Sequence, residues 1–189
     1  MKKASFLSIV WIICFLYIIS YFTLAARVVA DNQVPPNVDG IDYSLQWPGI
    51  LPDNRLYKLK VLRNKIIAKI IINPVKRVEF DLLMADKTIY ASKLLVDKGE
   101  IALAKDTALK GENYYSILVQ DYNKTLLQGK KIPEPLDSKI SLAAIKHQEI
   151  FKELENKVNG KDKETFQVVN KFSKINYDFI LALRKSKNY

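Results

Sequence analysis

Apolar side chains recur at spacings of three and four through most of the chain after residue 53, and that period predicts helices rather than strands. The first such run, over residues 54–72, carries Leu56, Leu59, Leu62, Ile66 and Ile70 on one face. Tyr57, Val61, Ala68 and Ile72 make a second face roughly opposite. Apolar residues on two sides predict a helix with neighbours on two sides, one on which the later segments pack. Asp53 stands at the N-cap position, and Asn73-Pro74 ends the run because a residue before proline avoids the helical region. A second helix over 74–98 runs through Val75, Val78, Leu82, Ala85, Ile89, Ser92 and Val96, with Gly99 suited to its C-terminal cap. A third over 100–128 runs through Ile101, Ala104, Ala108, Gly111, Tyr115, Leu118 and Tyr122. The small members of these two seams permit close approach in an antiparallel hairpin. Gly111 costs about 1 kcal/mol against alanine inside a helix, so either a packing need offsets it or the helix breaks there. Beyond a proline-containing break at 129–136, a fourth helix starts at Asp137 or Ser138 and carries Ile140, Ala144, His147, Phe151, Leu154 and Val158. A fifth, capped by Asp162, carries Phe166, Val169, Phe172, Ile175, Phe179 and Leu183. No segment sustains strand alternation, so the predicted fold is all-α, an antiparallel bundle of about five helices.

The start of the chain has a different pattern. Met1-Lys2-Lys3 precedes an uncharged apolar run over residues 4–26. At about 1.5 Å per helical residue this run reaches roughly 35 Å, enough to span a hydrocarbon core of about 30 Å. A cleaved signal peptide is the competing reading, with Thr23-Leu24-Ala25 and Val28-Val29-Ala30 as candidate cut sites, although its apolar region is usually about 7–15 residues long. Cys14 follows Ile12-Ile13 rather than a small residue, which does not fit lipoprotein cleavage. Lys2 and Lys3 hold the short end inside while a long domain crosses regardless of its own charge. The expected organisation is a single transmembrane anchor at 1–26, a linker at 27–46 and an extracytoplasmic domain at 47–189, secreted if the first segment is cut. The linker, with Pro35-Pro36 and Asp39-Gly40, has a coil reach near 25 Å and keeps the domain close to the membrane. Cys14 is the one cysteine, so the domain depends on packing rather than on a disulfide.

Pro48 and Pro52 fix φ on either side of Gly49-Ile50-Leu51 and make a rigid entry turn before the first helix. The run Pro48-Gly49-Ile50-Leu51-Pro52-Asp53, then Leu56-Tyr57-x-Leu59-Lys60, Asn73-Pro74, Ala85-Asp86-Lys87 and Lys146-His147-Gln148-Glu149 resembles the bacterial and archaeal family called domain of unknown function 5667. Coverage runs from about Trp47 to the end of the fourth helix. The resemblance implies an exported or membrane-anchored helical domain, in some cases attached to regulators resembling anti-sigma factors. It supplies no catalytic residues.

Net charge is +10 with 30 basic and 20 acidic residues, which bears on partners rather than on fold. Between Arg55 and Arg77 there are eight basic residues, Arg55, Lys58, Lys60, Arg63, Lys65, Lys69, Lys76 and Arg77, and no acidic one. The acids of the next two helices are expected to pair with about half of them. Lys58, Lys65 and Lys69, at spacings of seven and four, form a stripe expected to face outward and bind a polyanion, either anionic lipid or a wall polymer. Nucleic acid is not an expected partner, because the domain lies outside the cell and no recognition motif accompanies the charge. His147 is the single histidine; its seam position between Ala144 and Phe151 reads as packing with one satisfied hydrogen bond. No catalytic, cofactor-binding or metal-ligating set is expected, since neither a second histidine nor a thiol stands beside His147. Glu149 and Glu153 read as solvated acids, and Asn123-Lys124-Thr125 matches a glycosylation acceptor inside a predicted helix. The expectation is a non-enzymatic, accessory or sensory module that binds a protein partner or an anionic envelope surface. The alternative is an extracytoplasmic enzyme acting on cell-wall material with His147 or a glutamate as acid or base.

Overall fold

A computed structural model of the chain describes residues 42–186. The anchor expected at 1–26 and most of the linker lie outside the described residues, and no described helix is long and apolar enough to cross a membrane. Five helices follow one another: α1 (Tyr57–Ile70), α2 (Pro74–Asp97), α3 (Ile101–Leu127), α4 (Glu134–Lys157) and α5 (Gly160–Ser186). No strand occurs among the described residues, so the fold is all-α.

The core is made by α2 to α5. Neighbours in sequence pair as hairpins, α2 with α3 and α4 with α5, and the two hairpins pack on each other through α3–α5 and α2–α4 contacts. The sequence explains the stops. At Gly99 (φ 80°) and Gly129 (φ 70°) the chain turns left-handed, and the next amide reaches back five residues, Glu100 to Leu95 and Lys130 to Thr125. That closes the carbonyls left open at a helix end. Asn73 caps α2 by accepting from the Val75 and Lys76 amides at 3.0 and 3.3 Å, ahead of Pro74 at the first helical position.

The seams predicted for α2, α3 and α4 are the buried ones, from Val78 to Val96, Ala104 to Tyr122 and Ile140 to Val158. Gly111 lies inside an unbroken α3, and a Cβ placed there would stand 2.5 Å from Ile89 Cγ1. A packing need is therefore what Gly111 serves: it lets α3 approach the backbone of α2.

Several expectations are corrected. α1 is not the helix on which the others pack, because none of its residues is buried. Its Tyr57, Val61 and Ala68 side is half-covered, while Leu56, Leu59, Leu62, Ile66 and Ile70 are exposed to between 51% and 69%. Asp53 does not cap α1; Leu56 occupies that position and the Asp53 carboxylate accepts from Lys98 Nζ at 2.7 Å. In α5 the buried line is Phe166, Val169, Ser173 and Ile180, whereas Phe172, Ile175 and Phe179 are exposed. The helix is rotated because polar Ser173 and Asn176 turn inward toward a buried carboxyl on α3. α4 also starts earlier than expected, at Glu134, with Pro133 at its cap position and Pro135 inside the first turn, where an amide donor is not needed.

The stretch read as linker ends within the bundle. Leu45 is buried in the core and Tyr43 packs beside it, while Pro48 is buried and Trp47 sets its ring edge-on against Tyr90 at 5.6 Å.

Candidate functional site

Two places hold the residues singled out in the sequence. One is inside the bundle. His147 of α4 is fully buried, with Nε2 2.8 Å from Asp86 Oδ1 of α2. The other Asp86 oxygen accepts the Tyr43 hydroxyl at 2.6 Å, so the segment before the first helix is tied to two helices through one carboxylate. The Tyr115 ring of α3 meets the imidazole edge-on at 5.3 Å, and its hydroxyl donates to the Ile140 carbonyl at 2.8 Å. Burial, then the Asp86 charge, pushes the Tyr43 phenol far above its usual range, so it stays a donor.

Next to this group lies Glu112 of α3, also buried, which accepts from Asn176 Nδ2 of α5 at 2.7 Å. Desolvation raises the Glu112 pKa, with His147, Asn176 and Ser173 opposing it. Glu112 Oε2, His147 Nδ1 and Ser173 Oγ have no hydrogen-bond partner among the described residues. The polar thread Tyr43–Asp86–His147, continued by Glu112 and Asn176, therefore touches all four bundle helices.

Closed geometry limits its chemistry. His147 and Asp86 have the pairing that orients an imidazole for proton transfer. Their side chains are 0% and 2% exposed, however, and a general base needs its substrate within hydrogen-bond reach. Glu149 and Glu153 do not join them: Glu149 pairs with Lys146 at 2.9 Å, and Glu153 with Lys157 at 2.8 Å and with Lys93. Among the described residues no three His, Cys, Asp or Glu side chains come together as metal ligands. Thr125 of the glycosylation triplet is buried within α3 and donates to the Asp121 carbonyl at 2.6 Å.

Two further buried carboxylates, Asp137 and Asp81, lie near the starts of α4 and α2. Asp137 accepts the Tyr122 hydroxyl at 2.7 Å and faces Arg184 at 3.3 Å. Asp81 and Asp121 share the Arg77 guanidinium at 3.0 and 3.4 Å. Burial pushes Asp81 up to about 7 against the pull of Arg77, with Asp121 adding to the rise.

The second place is the surface of α1. Its five basic residues, Lys58, Lys60, Arg63, Lys65 and Lys69, make no ion pair with an acidic residue among the described residues. The acids expected to meet them are engaged elsewhere, Asp97 with Lys157 at 2.7 Å and Asp86 with His147. Only Lys76 and Arg77, at the start of α2, pair as expected. Lys60 turns inward and donates to the Pro48 and Ile50 carbonyls at 2.7 and 2.9 Å, fastening α1 to the entry turn. Burial, then Lys87 and Arg63, lowers its pKa to about 8. Arg77 Nη1 donates to the Ala68 carbonyl at 2.8 Å and holds the far end. Lys58, Lys65 and Lys69 stay exposed.

Residues 49–161 match the family described as Domain of unknown function (DUF5667). The chain belongs to this family. The matched stretch holds the entry turn from Gly49 onward, α1, α2, α3, α4 and the Asp86–His147 pair, and it stops at the start of α5. No curated protein and no solved structure matches the chain. What sequence reasoning missed in this DUF5667 domain is Asp86, Tyr43 and Glu112. Position beside a seam gave no reliable signal: Asp86 and Glu112 follow seam residues Ala85 and Gly111 and are buried, whereas Glu79 and Asp97 follow seam residues Val78 and Val96 and are exposed.

Proposed function

We propose that this DUF5667 chain is a membrane-anchored, extracytoplasmic and non-enzymatic binding module, accessory or sensory in role, that rests on an anionic envelope surface through Lys58, Lys65 and Lys69. The observation that carries the reading is α1, a helix with five basic residues, no acidic residue and no buried residue, held to the bundle by a few hydrogen bonds. Cationic side chains that meet no internal partner keep their charge available to an external one. Membrane anchoring rests on the apolar run at 4–26 behind Lys2 and Lys3. The sealed surroundings of His147 support binding over acid–base catalysis. A protein partner is the second reading, favoured by the exposed stripe Val168, Phe172, Ile175 and Phe179 on α5.

The test uses the full chain in neutral detergent micelles on a polyphosphate resin. Parent protein is expected to be retained at low salt and released as the Debye length shortens toward about 8 Å near physiological ionic strength. Lys58→Glu, Lys65→Glu and Lys69→Glu together should abolish retention with helix content unchanged. Equal release of parent and variant would end the polyanion reading.

A further inference from the structure

We infer that α1 is an interfacial helix, lying in the surface of an anionic lipid bilayer with Leu59, Leu62, Ile66 and Ile70 in the acyl boundary and Lys58, Lys65 and Lys69 at the headgroups. This rests on the anionic-surface reading above and commits it to lipid. At about 100° per residue, Leu56, Leu59, Leu62, Ile66 and Ile70 fall within an arc of about 120° that also contains Arg63, whose long stem lets its guanidinium reach up to the headgroups while the stem lies in the acyl boundary. Lys58, Lys65 and Lys69 fall within about 40° along one border of that arc. Tyr57, Asn64 and Ala68 lie on the opposite side, and that side faces the protein: Asn64 reaches Met84 of α2 at 3.4 Å, and Ala68 is held by Arg77. The apolar arc therefore points away from the bundle, exposed to more than half on each of these five residues.

Charge selects the occupant. A second copy placed face to face would bring two helices of five basic and no acidic residues together, and like charges at close quarters oppose that pairing. A hydrophilic wall polymer satisfies the lysines but leaves five large apolar side chains in water. A basic helix with a mainly apolar face bordered by lysines, and with Arg63 long enough to reach the phosphates, matches what an anionic bilayer surface binds. Position agrees, because about 15 residues separate the apolar run ending at Ala26 from Asp42, and a chain of that length reaches at most roughly 50 Å.

The full chain, with Cys14→Ala and Ile66→Cys carrying an environment-sensitive nitrobenzoxadiazole label, is reconstituted in phosphatidylcholine membranes with and without phosphatidylglycerol. A label at Gln167→Cys on α5 is the control. In the anionic membrane the label at 66 is expected to shift to the blue, to be quenched by brominated acyl chains and to be shielded from iodide, while the label at 167 stays in water. Reversal of the three lysines should lower the ratio of docked to undocked protein by about a hundredfold. Leu59→Ser, Leu62→Ser and Ile70→Ser together should return the label at 66 to water while retention on polyphosphate persists. A label at 66 as open to iodide as that at 167, in protein still retained on polyphosphate, overturns insertion and leaves the anionic reading standing. Shielding from iodide without quenching by brominated lipid, relieved by diluting the protein in the bilayer, assigns the face to a second copy and also overturns it. Equal insertion with and without phosphatidylglycerol keeps the helix in lipid but removes charge as its cause.

Discussion

α1 and α2 present the same apolar period in the sequence and meet opposite fates. Leu56, Leu59, Leu62, Ile66 and Ile70 repeat as regularly as Val78, Leu82, Ala85, Ile89 and Ser92, yet the first set is exposed and the second is buried. Side-chain size and charge account for the difference. α2 offers Ala85 and Ser92 to a partner whose Ala104, Ala108 and Gly111 let the two backbones close on each other. The α1 seam has only leucine and isoleucine, which hold a neighbouring helix at a distance, and Arg55 and Arg63 stand among them. Burying that seam in the bundle would bury those cations as well, at a cost no nearby acid offsets. A period of three and four thus identifies an apolar face, and the company it keeps decides whether the face is core or surface.

The comparison is broken most severely by removing the polar tie in the bundle. Asp86→Ala leaves His147 and Tyr43 buried without their shared acceptor and is expected to cost about 3–5 kcal/mol in urea unfolding of the full chain. His147→Ala should remove a similar amount. A loss under about 1 kcal/mol in both would mean that the pair contributes little and that apolar packing alone separates the bundle from α1.

Gly111→Ala tests the close approach itself. Alanine gains about 1 kcal/mol of helix propensity, but its methyl group meets Ile89, and a net loss of about 1–3 kcal/mol is expected. Ile89→Ala in the same chain should make the added methyl group less harmful than it is alone, a coupling that a double-mutant cycle measures. The smallest effect belongs to α1. Leu59→Ser, Leu62→Ser and Ile66→Ser are each expected to change bundle stability by no more than about 0.5 kcal/mol in the absence of lipid. A large loss there would show that the seam packs in solution, and the contrast between the two helices would then fail.

Much of the architecture was determined by the sequence alone. The helical period set the class, Gly99 and Gly129 set two of the turns, Asn73-Pro74 set the start of α2, and the seams of α2, α3 and α4 were readable to the residue. These are local properties, governed by backbone conformation and by the side of a helix on which apolar residues fall. Tertiary structure decided what local rules cannot reach. It brought Asp86 to His147 across 61 residues and Tyr43 to Asp86 across 43, pairings that depend on how α2 and α4 are placed and not on any spacing along the chain. It rotated α5 so that Ser173 and Asn176 met the Glu112 side of the core while Phe172, Ile175 and Phe179 turned to solvent, because a buried carboxyl needs polar neighbours more than the core needs three further large side chains. And it left α1 outside, with its Tyr57, Asn64 and Ala68 side toward the protein and its cation-edged seam in solvent, since burial is a property of two surfaces and no spacing within one helix decides which of its faces finds a partner.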